Sequence, residues 1–254
     1  MEFNINPVAF NMFGLDVKWY GVLIAIGTIL GMLIVFRECK RICFNDEIII
    51  DLLLWMLPIG IICARLYYVA FEWDLYAGDF LRIINLRTGG LAIHGGLIGG
   101  VLTAIIFCKI RKVSFWEVVD IVIPSVSLAQ GIGRWGNFIN QEAHGGPTDL
   151  PWGILVNGQI VHPTFFYESI CDLALFFFLI WYRKNKRKFD GEIFAYYLIF
   201  YSIPRFFIEG LRTDSLMFMH LRVAQLISVG MIIAGMILLK YVKSNKNNCR
   251  ISDK

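Results

Sequence analysis

The sequence predicts an all-α integral membrane protein with seven transmembrane helices. Hydrophobic residues fill 57% of the 254 positions, charged residues fill only 17%, and the mean hydropathy is +0.62. Soluble domains carry about 25% charged residues. Apolar runs of about 20 residues, the length that a helix needs to cross a bilayer, recur along the chain. No linker or tandem repeat separates them, so we expect one polytopic domain over residues 1–254.

Each apolar run defines one predicted span. The spans are residues 19–36, 48–71, 89–108, 115–133, 163–182, 191–210 and 222–242. The fourth is the weakest, because Glu117, Asp120, Pro124 and Gln130 interrupt it. Residues 1–19 are acidic and lack a small-residue cleavage pattern, so we expect the first span to remain as an anchor rather than to be removed as a signal peptide.

Basic residues follow every second span and so predict the orientation. They are Arg37, Lys40 and Arg41 after the first span, Lys109, Arg111 and Lys112 after the third, and Arg183, Lys184, Lys186, Arg187 and Lys188 after the fifth. The positive-inside rule makes these connections cytoplasmic, with the N-terminus outside and the C-terminus in the cytoplasm. The loops 72–88, 134–162 and 211–221 then form an outer polar region, in which residues 147–161 are expected to carry a short strand or to cover the site.

Several function classes find no support in the sequence. A net charge of +4 in scattered clusters does not indicate nucleic acid binding. No P-loop, zinc-ligand spacing, nucleophile elbow or dinucleotide fingerprint is present, so we expect no cofactor. The six cysteines form no CxxC pair and are interpreted as small buried hydrophobes. The four histidines, at positions 94, 144, 162 and 220, form no recognisable metal set, so we expect no metal.

The most polar stretch is GRWGNFINQEAHGG, residues 133–146, at the outer end of the fourth predicted span. It brings Arg134, Asn137 and Glu142 close together, and Gly136 allows a ligand or another chain segment to approach the backbone. A well-capped outer loop would also contain Asn and Gly. Arg, Glu and His together beside an apolar span favour a functional site instead.

A second polar group ends the sixth predicted span, in YSIPRFFIEGLRTD. Tyr201, Arg205, Glu209 and Arg212 are spaced four, four and three residues apart, so they share one helical face. An internal ion pair between Arg205 and Glu209 is one interpretation. The other is that two arginines leave positive charge over for a phosphate, which arginine binds with two parallel hydrogen bonds.

Other polar residues have interpretations that stay open. His94, in GGLAIHGGLIGG, either hydrogen-bonds across a helix contact lined by glycines or accepts a proton. Tyr20 either lines the membrane interface or belongs to a site. Glu168 and Asp172 are assigned to inward polar contacts, with a proton route as the other possibility. Asp51 and Arg65 are fourteen residues apart, too far for a local pair.

These segments together resemble the bacterial prolipoprotein diacylglyceryl transferases. The stretch from Gly133 to Gly145 fits the family pattern G-R-x-G-N-F-hydrophobic-N-x-E-x-x-G at every fixed position. WYG, GGLAIHGGLIGG, HPTFFYE, PRFFIEGLR and RVAQLIS are similar to family segments in the same order. The resemblance implies a multi-pass enzyme of the bacterial cell membrane, active at its outer face, whose partners are membrane lipid and preprolipoprotein signal peptides. Such an enzyme transfers the diacylglyceryl group of phosphatidylglycerol to the lipobox cysteine thiol, forming a thioether and releasing glycerol phosphate, the first step of lipoprotein maturation.

The resemblance also implies that seven of these residues matter: His94, Tyr20, Asn137, Glu142, Arg134, Arg205 and Glu209. Our hypothesis is that Arg134 and Arg205 hold the phosphate, with Asn137 and Arg212 also in the binding site. Glu142 and Glu209 would orient the arginines, His94 would accept the thiol proton, and Tyr20 would complete the pocket. A lipid transporter is the competing class, because charged residues in spans also mark substrate pathways, but no similarity between two halves of the chain supports it. A purely structural membrane scaffold is the third.

Overall fold

The structure, a computed structural model, describes residues 6–12, 14–86, 89–156, 158–219 and 221–244. Within these ranges the α-helices are α1 (Trp19–Ile42), α2 (Asp46–Phe71), α3 (Phe80–Ile84), α4 (Ile93–Arg111), α5 (Phe115–Ile139), α6 (Thr164–Asn185), α7 (Glu192–Leu211) and α8 (Val223–Ser244). A 3-10 helix covers Trp73–Leu75. The short strands are β1 (Val8–Met12), β2 (Leu15–Lys18), β3 (Ile154–Val156), β4 (Gln159–Val161), β5 (Met217–Phe218) and β6 (Leu221–Arg222).

The prediction of a mainly helical membrane protein is confirmed. Six helices of the described chain are long and apolar enough to cross a membrane: α1, α2, α4, α5, α6 and α8. The predicted sixth span is also a helix, α7, but it falls outside this group because polar residues such as Arg205 and Glu209 lower its hydropathy. The count of seven spans and the orientation of the termini therefore stay predictions.

Three antiparallel hairpins, β1–β2, β3–β4 and β5–β6, are small exceptions to the predicted all-α architecture. The β3–β4 pair lies in the 147–161 loop, where a short strand was expected, and pairs Ile154 with Val161. Such two-stranded ribbons bury little apolar surface by themselves. The β1–β2 hairpin precedes α1, whereas the β3–β4 and β5–β6 hairpins lie in connections between helices.

Local sequence explains where several helices begin and end. The Oδ1 atom of Asn45 accepts a hydrogen bond from the Glu47 amide at 3.0 Å, which caps the start of α2. Lys112 adopts a left-handed conformation, φ 56°, and ends α4. Gly191, with φ 94°, makes the turn into α7, a conformation that glycine adopts without steric cost.

The chain divides into two compact units, residues 1–38 with 119–254 and residues 39–118. In the second unit α2 and α4 pack closely, as the overlapping GxxxG spacings predict. A Cβ atom added to Gly95 would lie 2.4 Å from the Cys63 carbonyl oxygen, and one added to Gly99 would lie 2.6 Å from Cys63 Cβ. These positions admit only glycine at this distance between the helices. That both units act as a single domain stays a prediction.

The first unit has its apolar core between α5, α6 and α7. Ile123, Leu175, Leu179, Ile193 and Tyr197 form the buried cluster. Close helix contacts extend this packing: the Ser125 hydroxyl donates to the Gly31 carbonyl of α1 at 3.0 Å, and the Ser169 hydroxyl donates to the Gly131 carbonyl at 2.8 Å. This packing brings the end of α5, the start of α6 and the end of α7 to the same side of the unit.

Candidate active site

Two arginines from different helices share one buried carboxylate. Arg134 on α5 forms an ion pair with Glu168 on α6, with 2.9 Å between Nε and Oε2. Arg205 on α7 donates through Nη1 to Oε1 of the same carboxylate. Each oxygen of Glu168 therefore contacts one guanidinium group. The two arginines expected to act together do converge.

Arg205 has a second carboxylate partner on its own helix. Its Nη2 atom lies 2.7 Å from Glu209 Oε2, an ion pair at i,i+4 spacing. The Glu209 backbone carbonyl in turn accepts a hydrogen bond from Arg222 Nη1. The interpretation of Arg205 and Glu209 as an internal ion pair is confirmed, and Arg205 is held from two sides.

The expected surplus of positive charge in this segment is wrong for the described residues. Arg205 is paired with both Glu168 and Glu209, and Arg212 forms a two-pronged pair with Asp214, at 2.9 and 2.8 Å. The count failed because it left out Asp214, at the end of the same segment, and Glu168, which comes from another helix, 37 residues earlier in the chain than Arg205. The arginines still differ from their partners in accessibility: the side chains of Arg134 and Arg205 are 20% and 19% exposed.

Asp214, the partner of Arg212, has a shifted pKa. The hydrogen bond from Arg212 holds the pKa of the Asp214 carboxyl below its ordinary value. Partial burial acts in the opposite direction, while the positive charge of Arg212 adds to the lowering. Asp214 is therefore ionised at neutral pH and neutralises Arg212.

In the described chain, the hydrogen bonds of Glu142 join it to asparagine side chains rather than to the arginines that it was expected to orient. Among the described residues, its Oε1 atom accepts hydrogen bonds from the side-chain amides of Asn137, at 3.0 Å, and Asn140, at 3.2 Å. The chain turns sharply here, because Gln141 and Ala143 both have positive φ, 53° and 57°. Glu142 folds back across this turn and fixes the Asn137 side chain at the end of α5.

Tyr20 lies directly on the same helix end. A Cβ atom added to Gly136 would lie only 2.3 Å from Tyr20 Cδ2, so the ring rests on the bare backbone of Gly136. Gly136 falls between Arg134 and Asn137 in the sequence. The structure therefore brings Tyr20 to the segment that carries both of these predicted site residues.

Gly145 is the point where three chain segments cross. Its amide donates to the His162 carbonyl at 2.9 Å, and the Gly146 amide donates to the Leu211 carbonyl at 2.9 Å. A Cβ atom on Gly145 would lie 2.6 Å from His162 Cβ. The loop after α5 is thus joined to the start of α6 and the end of α7. This crossing fixes the helix ends that carry Arg134, Glu168 and Arg205.

An apolar groove of about 490 Å³ lies at the start of α6. It is lined by Leu150, Trp152, His162, Phe166, Tyr167, Ile170 and Leu211. The Trp152 indole donates to the Tyr167 hydroxyl at 2.8 Å, which ties the loop before β3 to α6.

Two residues named in the sequence analysis, His220 and Cys249, lie outside the described ranges.

His94 belongs to the other unit, in the first turn of α4. Its exposed ring lies 6.2 Å from the Tyr67 ring, centre to centre. Within the described residues no hydrogen bond joins His94 to another helix, so its interpretation as a partner across the helix contact finds no support. The side chain is accessible for proton transfer.

Glu168 is the residue that sequence reasoning placed outside the site. A charged side chain inside an apolar span is a signal in itself, because such residues usually face a cavity or a partner. Glu168 in HPTFFYE carries that signal, four residues before Asp172 on the same face. Its partners could not be identified, since both arginines come from other helices.

The chain is similar to known proteins of one family over nearly its whole length. The model of the prolipoprotein diacylglyceryl transferase family matches residues 7–241. A Clostridioides difficile protein named phosphatidylglycerol--prolipoprotein diacylglyceryl transferase is 54% identical over 245 residues, which are 96% of this chain and 98% of that protein. A Finegoldia magna protein of the same name is 51% identical over 240 residues, 94% of this chain and 97% of its own. A Listeria welshimeri protein of that name is 47% identical over 255 residues, with 95% and 92% covered.

Proposed function

The chain belongs to the prolipoprotein diacylglyceryl transferase family, and from this premise we propose how its residues serve the family's reaction. The protein is a multi-pass membrane transferase of lipoprotein biosynthesis that moves the diacylglyceryl group of phosphatidylglycerol to a prolipoprotein. In our proposal the acceptor is the lipobox cysteine thiol, a thioether forms, glycerol phosphate leaves, and the active site faces the outer side of the bacterial cell membrane.

The pairing of Arg134 and Arg205 across Glu168 is the observation that carries the proposal. Two guanidinium groups that meet at one carboxylate are spaced for an anion with two oxygen atoms, and a phosphodiester presents two such oxygens. Each guanidinium has five N–H donors, so donors remain after the carboxylates are satisfied. Because both arginine side chains are about one-fifth exposed, a lipid phosphate can reach them.

The reaction is a displacement at the glyceryl carbon that carries the phosphodiester oxygen. The sulfur forms the new C–S bond, the C–O bond breaks, and its electron pair leaves on the phosphate oxygen of glycerol phosphate. Arg134 and Arg205 stabilise the negative charge that builds there, by about 2 to 4 kcal/mol each if they act like the donors of an oxyanion hole. This contribution is specific to the transition state, which is what raises the rate.

A base is needed because a free thiol, with a pKa of about 8.5, is only slightly ionised at neutral pH. We assign the proton transfer to His94, since histidine has the unperturbed pKa closest to neutral among proton acceptors. The thiol proton moves to a nitrogen of the imidazole ring as sulfur attacks. His94→Gln should therefore lose turnover and still bind phosphatidylglycerol.

The remaining residues hold and complete the binding site. Glu168 and Glu209 fix the Arg205 guanidinium, and Glu142 fixes the Asn137 amide. Asn137 keeps a carbonyl oxygen and a second N–H for the phosphate or for the hydroxyls of the headgroup glycerol. Tyr20 lines the pocket beside Gly136, and Arg212 binds the substrate at its edge.

The reaction is tested by incubating the purified protein in detergent with phosphatidylglycerol and a lipobox peptide. Mass spectrometry should find the mass of a diacylglyceryl group on the cysteine, and a peptide with serine in its place should stay unmodified. Arg134→Ala should lower both lipid affinity and turnover, whereas Lys184→Gln, on an exposed lysine, should change neither. Unmodified peptide would exclude the reaction, and normal affinity and rate in Arg134→Ala would remove Arg134 from the phosphate site.

A further inference from the structure

Arg65 is a buried cation whose donors are all directed at backbone carbonyl groups. Its side chain lies in α2, in a residue only 3% exposed. The five acceptors are the carbonyls of Ile83 at 2.8 Å from Nε, Gly89 and Gly90 at 2.6 and 2.9 Å from Nη1, and Arg82 and Asn85 at 2.6 and 2.9 Å from Nη2. A guanidinium group has five N–H donors, so the set is complete.

The acceptors explain how this charge is tolerated inside the protein. Three of the carbonyls come from the end of α3, where the last carbonyl groups of a helix lack partners within the helix. The Tyr76 ring adds a cation–π contact, with its centre 4.9 Å from Arg65 Cζ. Arg65 therefore joins the end of α3 to the Gly89–Gly90 turn through one rigid planar group.

The glycine turn is shaped for this guanidinium. Gly89 and Gly90 both have positive φ, 80° and 78°. A Cβ atom on Gly90 would lie 2.4 Å from Arg65 Nη1 and 2.9 Å from Tyr68 Cε1. A side chain at position 90 would thus displace Arg65.

The same part of α2 fastens the start of α4. The Ala92 amide donates to the Ala64 carbonyl at 3.1 Å, directly beside Arg65. Gly95 packs against the Cys63 carbonyl, as described above. His94 lies between these two contacts. The backbone at His94 is therefore held by residues 63–65 on both sides.

We propose that Arg65 is a positioning residue for His94, acting through the Gly89–Gly90 turn that leads into α4. The proposal rests on the proposed function of His94 as the base. A purely structural Arg65 would affect the stability of the whole unit and leave the active fraction with normal kinetics. A positioning Arg65 lowers kcat with little change in the KM for phosphatidylglycerol.

Arg65→Lys is the first variant, because lysine keeps the charge but lacks the planar five-donor group. Amide hydrogen exchange of residues 89–95 should become at least about 10-fold faster, and kcat should fall about 10-fold, as expected for a misplaced catalytic group. The KM should stay within about twofold. Arg111→Lys is the matched control, since Arg111 is paired with Asp51 in the same unit, and neither readout should change.

Tyr76 offers a second variant should Arg65→Lys fail to fold. Tyr76→Leu removes the aromatic ring, so amide exchange of residues 89–95 should become faster and kcat should fall, both by less than in Arg65→Lys. Tyr76→Phe keeps the ring and should change neither the exchange rates nor kcat. Unchanged exchange in residues 89–95, or faster exchange with normal kcat, would overturn the positioning role. Full activity of His94→Gln would instead defeat the role of His94 itself, and the exchange data would still report what Arg65 holds.

Discussion

The first unit pairs arginine with carboxylate at both of its ends, and the two clusters differ in exposure. The sealed cluster consists of Glu38, Asp120, Arg183 and Arg187, whose side chains are at most 2% exposed. Arg187 Nε lies 3.0 Å from Asp120 Oδ2. The open cluster consists of Arg134, Glu168, Arg205 and Glu209, whose arginines are about one-fifth exposed. In our proposal, the same residue types stabilise the fold where they are enclosed and bind the lipid phosphate where they are accessible.

The sealed cluster also has backbone partners that the open cluster lacks in the described chain. Asp120 accepts hydrogen bonds from the amides of Gly191, at 2.8 Å, and Phe194, at 2.9 Å. Arg183 donates to the Ile121 carbonyl at 2.9 Å. These bonds join the start of α5 to the turn between α6 and α7. Enclosed and bonded in this way, the sealed cluster holds the helices in register.

The largest effect is expected from Arg187→Gln in the sealed cluster. The change leaves the enclosed Asp120 carboxylate without its cation, which costs about 3 to 5 kcal/mol in comparable buried pairs. Thermal unfolding of the purified protein should show a clearly lower Tm. Lys188→Gln, at an exposed neighbour, is the control and should unfold as the unchanged protein does. A normal Tm in Arg187→Gln would contradict the contrast between the clusters.

In the open cluster, Arg205→Lys should affect activity more than stability. Lysine keeps the charge but cannot contact Glu168, Glu209 and a phosphate at once with planar geometry. We expect kcat/KM to fall about 100- to 1000-fold, the effect of removing one oxyanion donor. The Tm should fall less than in Arg187→Gln. A large loss of Tm with normal kinetics would make Arg205 a structural residue like Arg187.

Gly136→Ala tests whether activity at the open cluster depends on the contact between Gly136 and the Tyr20 ring. The added methyl group overlaps the ring, so we expect a loss of about 1 to 3 kcal/mol in unfolding free energy and a fall in turnover of about 10- to 100-fold as Tyr20 moves. Gly133→Ala is the matched control, because a Cβ atom there meets nothing within 4 Å. Gly133→Ala should keep the fold and raise the free energy of unfolding by about 0.5 to 1 kcal/mol, because alanine has a higher helix propensity than glycine. Equal behaviour of the two variants would show that the ring contact is unimportant.

The smallest effect is expected for the pair of Arg212 and Asp214, in which the carboxylate side chain is about half exposed. Because the pKa of Asp214 is lowered in the folded protein, its contribution to stability is present above the ordinary value of about 3.9 and is lost as the pH falls through the lower folded value. Asp214→Asn should therefore lower the Tm slightly at pH 7 and by less near pH 3. A difference in Tm that is the same at both pH values would contradict the pairing.

The helices and part of the site were predictable because their signals are local. Apolar runs predicted the helices, and i,i+4 spacing predicted the pair of Arg205 and Glu209. The partners of Glu168 depend on how three helices pack, which no local pattern encodes. The partners of Glu142 were not predicted for the same reason: its carboxylate returns to Asn137 across a tight turn.

The solvent exposure of the basic side chains could not be predicted from the sequence either. Arg183 and Arg187 were counted among the basic residues that predict a cytoplasmic connection, yet both side chains are enclosed by carboxylates. Lys184, Lys186 and Lys188 are the exposed basic residues of that turn. The predicted orientation therefore depends on these lysines.

The most direct test of the central claim is a double-mutant cycle of Arg134→Gln and Arg205→Gln, read as affinity for phosphatidylglycerol in vesicles or by native mass spectrometry. If both arginines hold one phosphate, the losses in binding free energy should be non-additive by more than about 0.5 kcal/mol, the limit for independent sites. Losses that add within that limit would contradict a shared anion site.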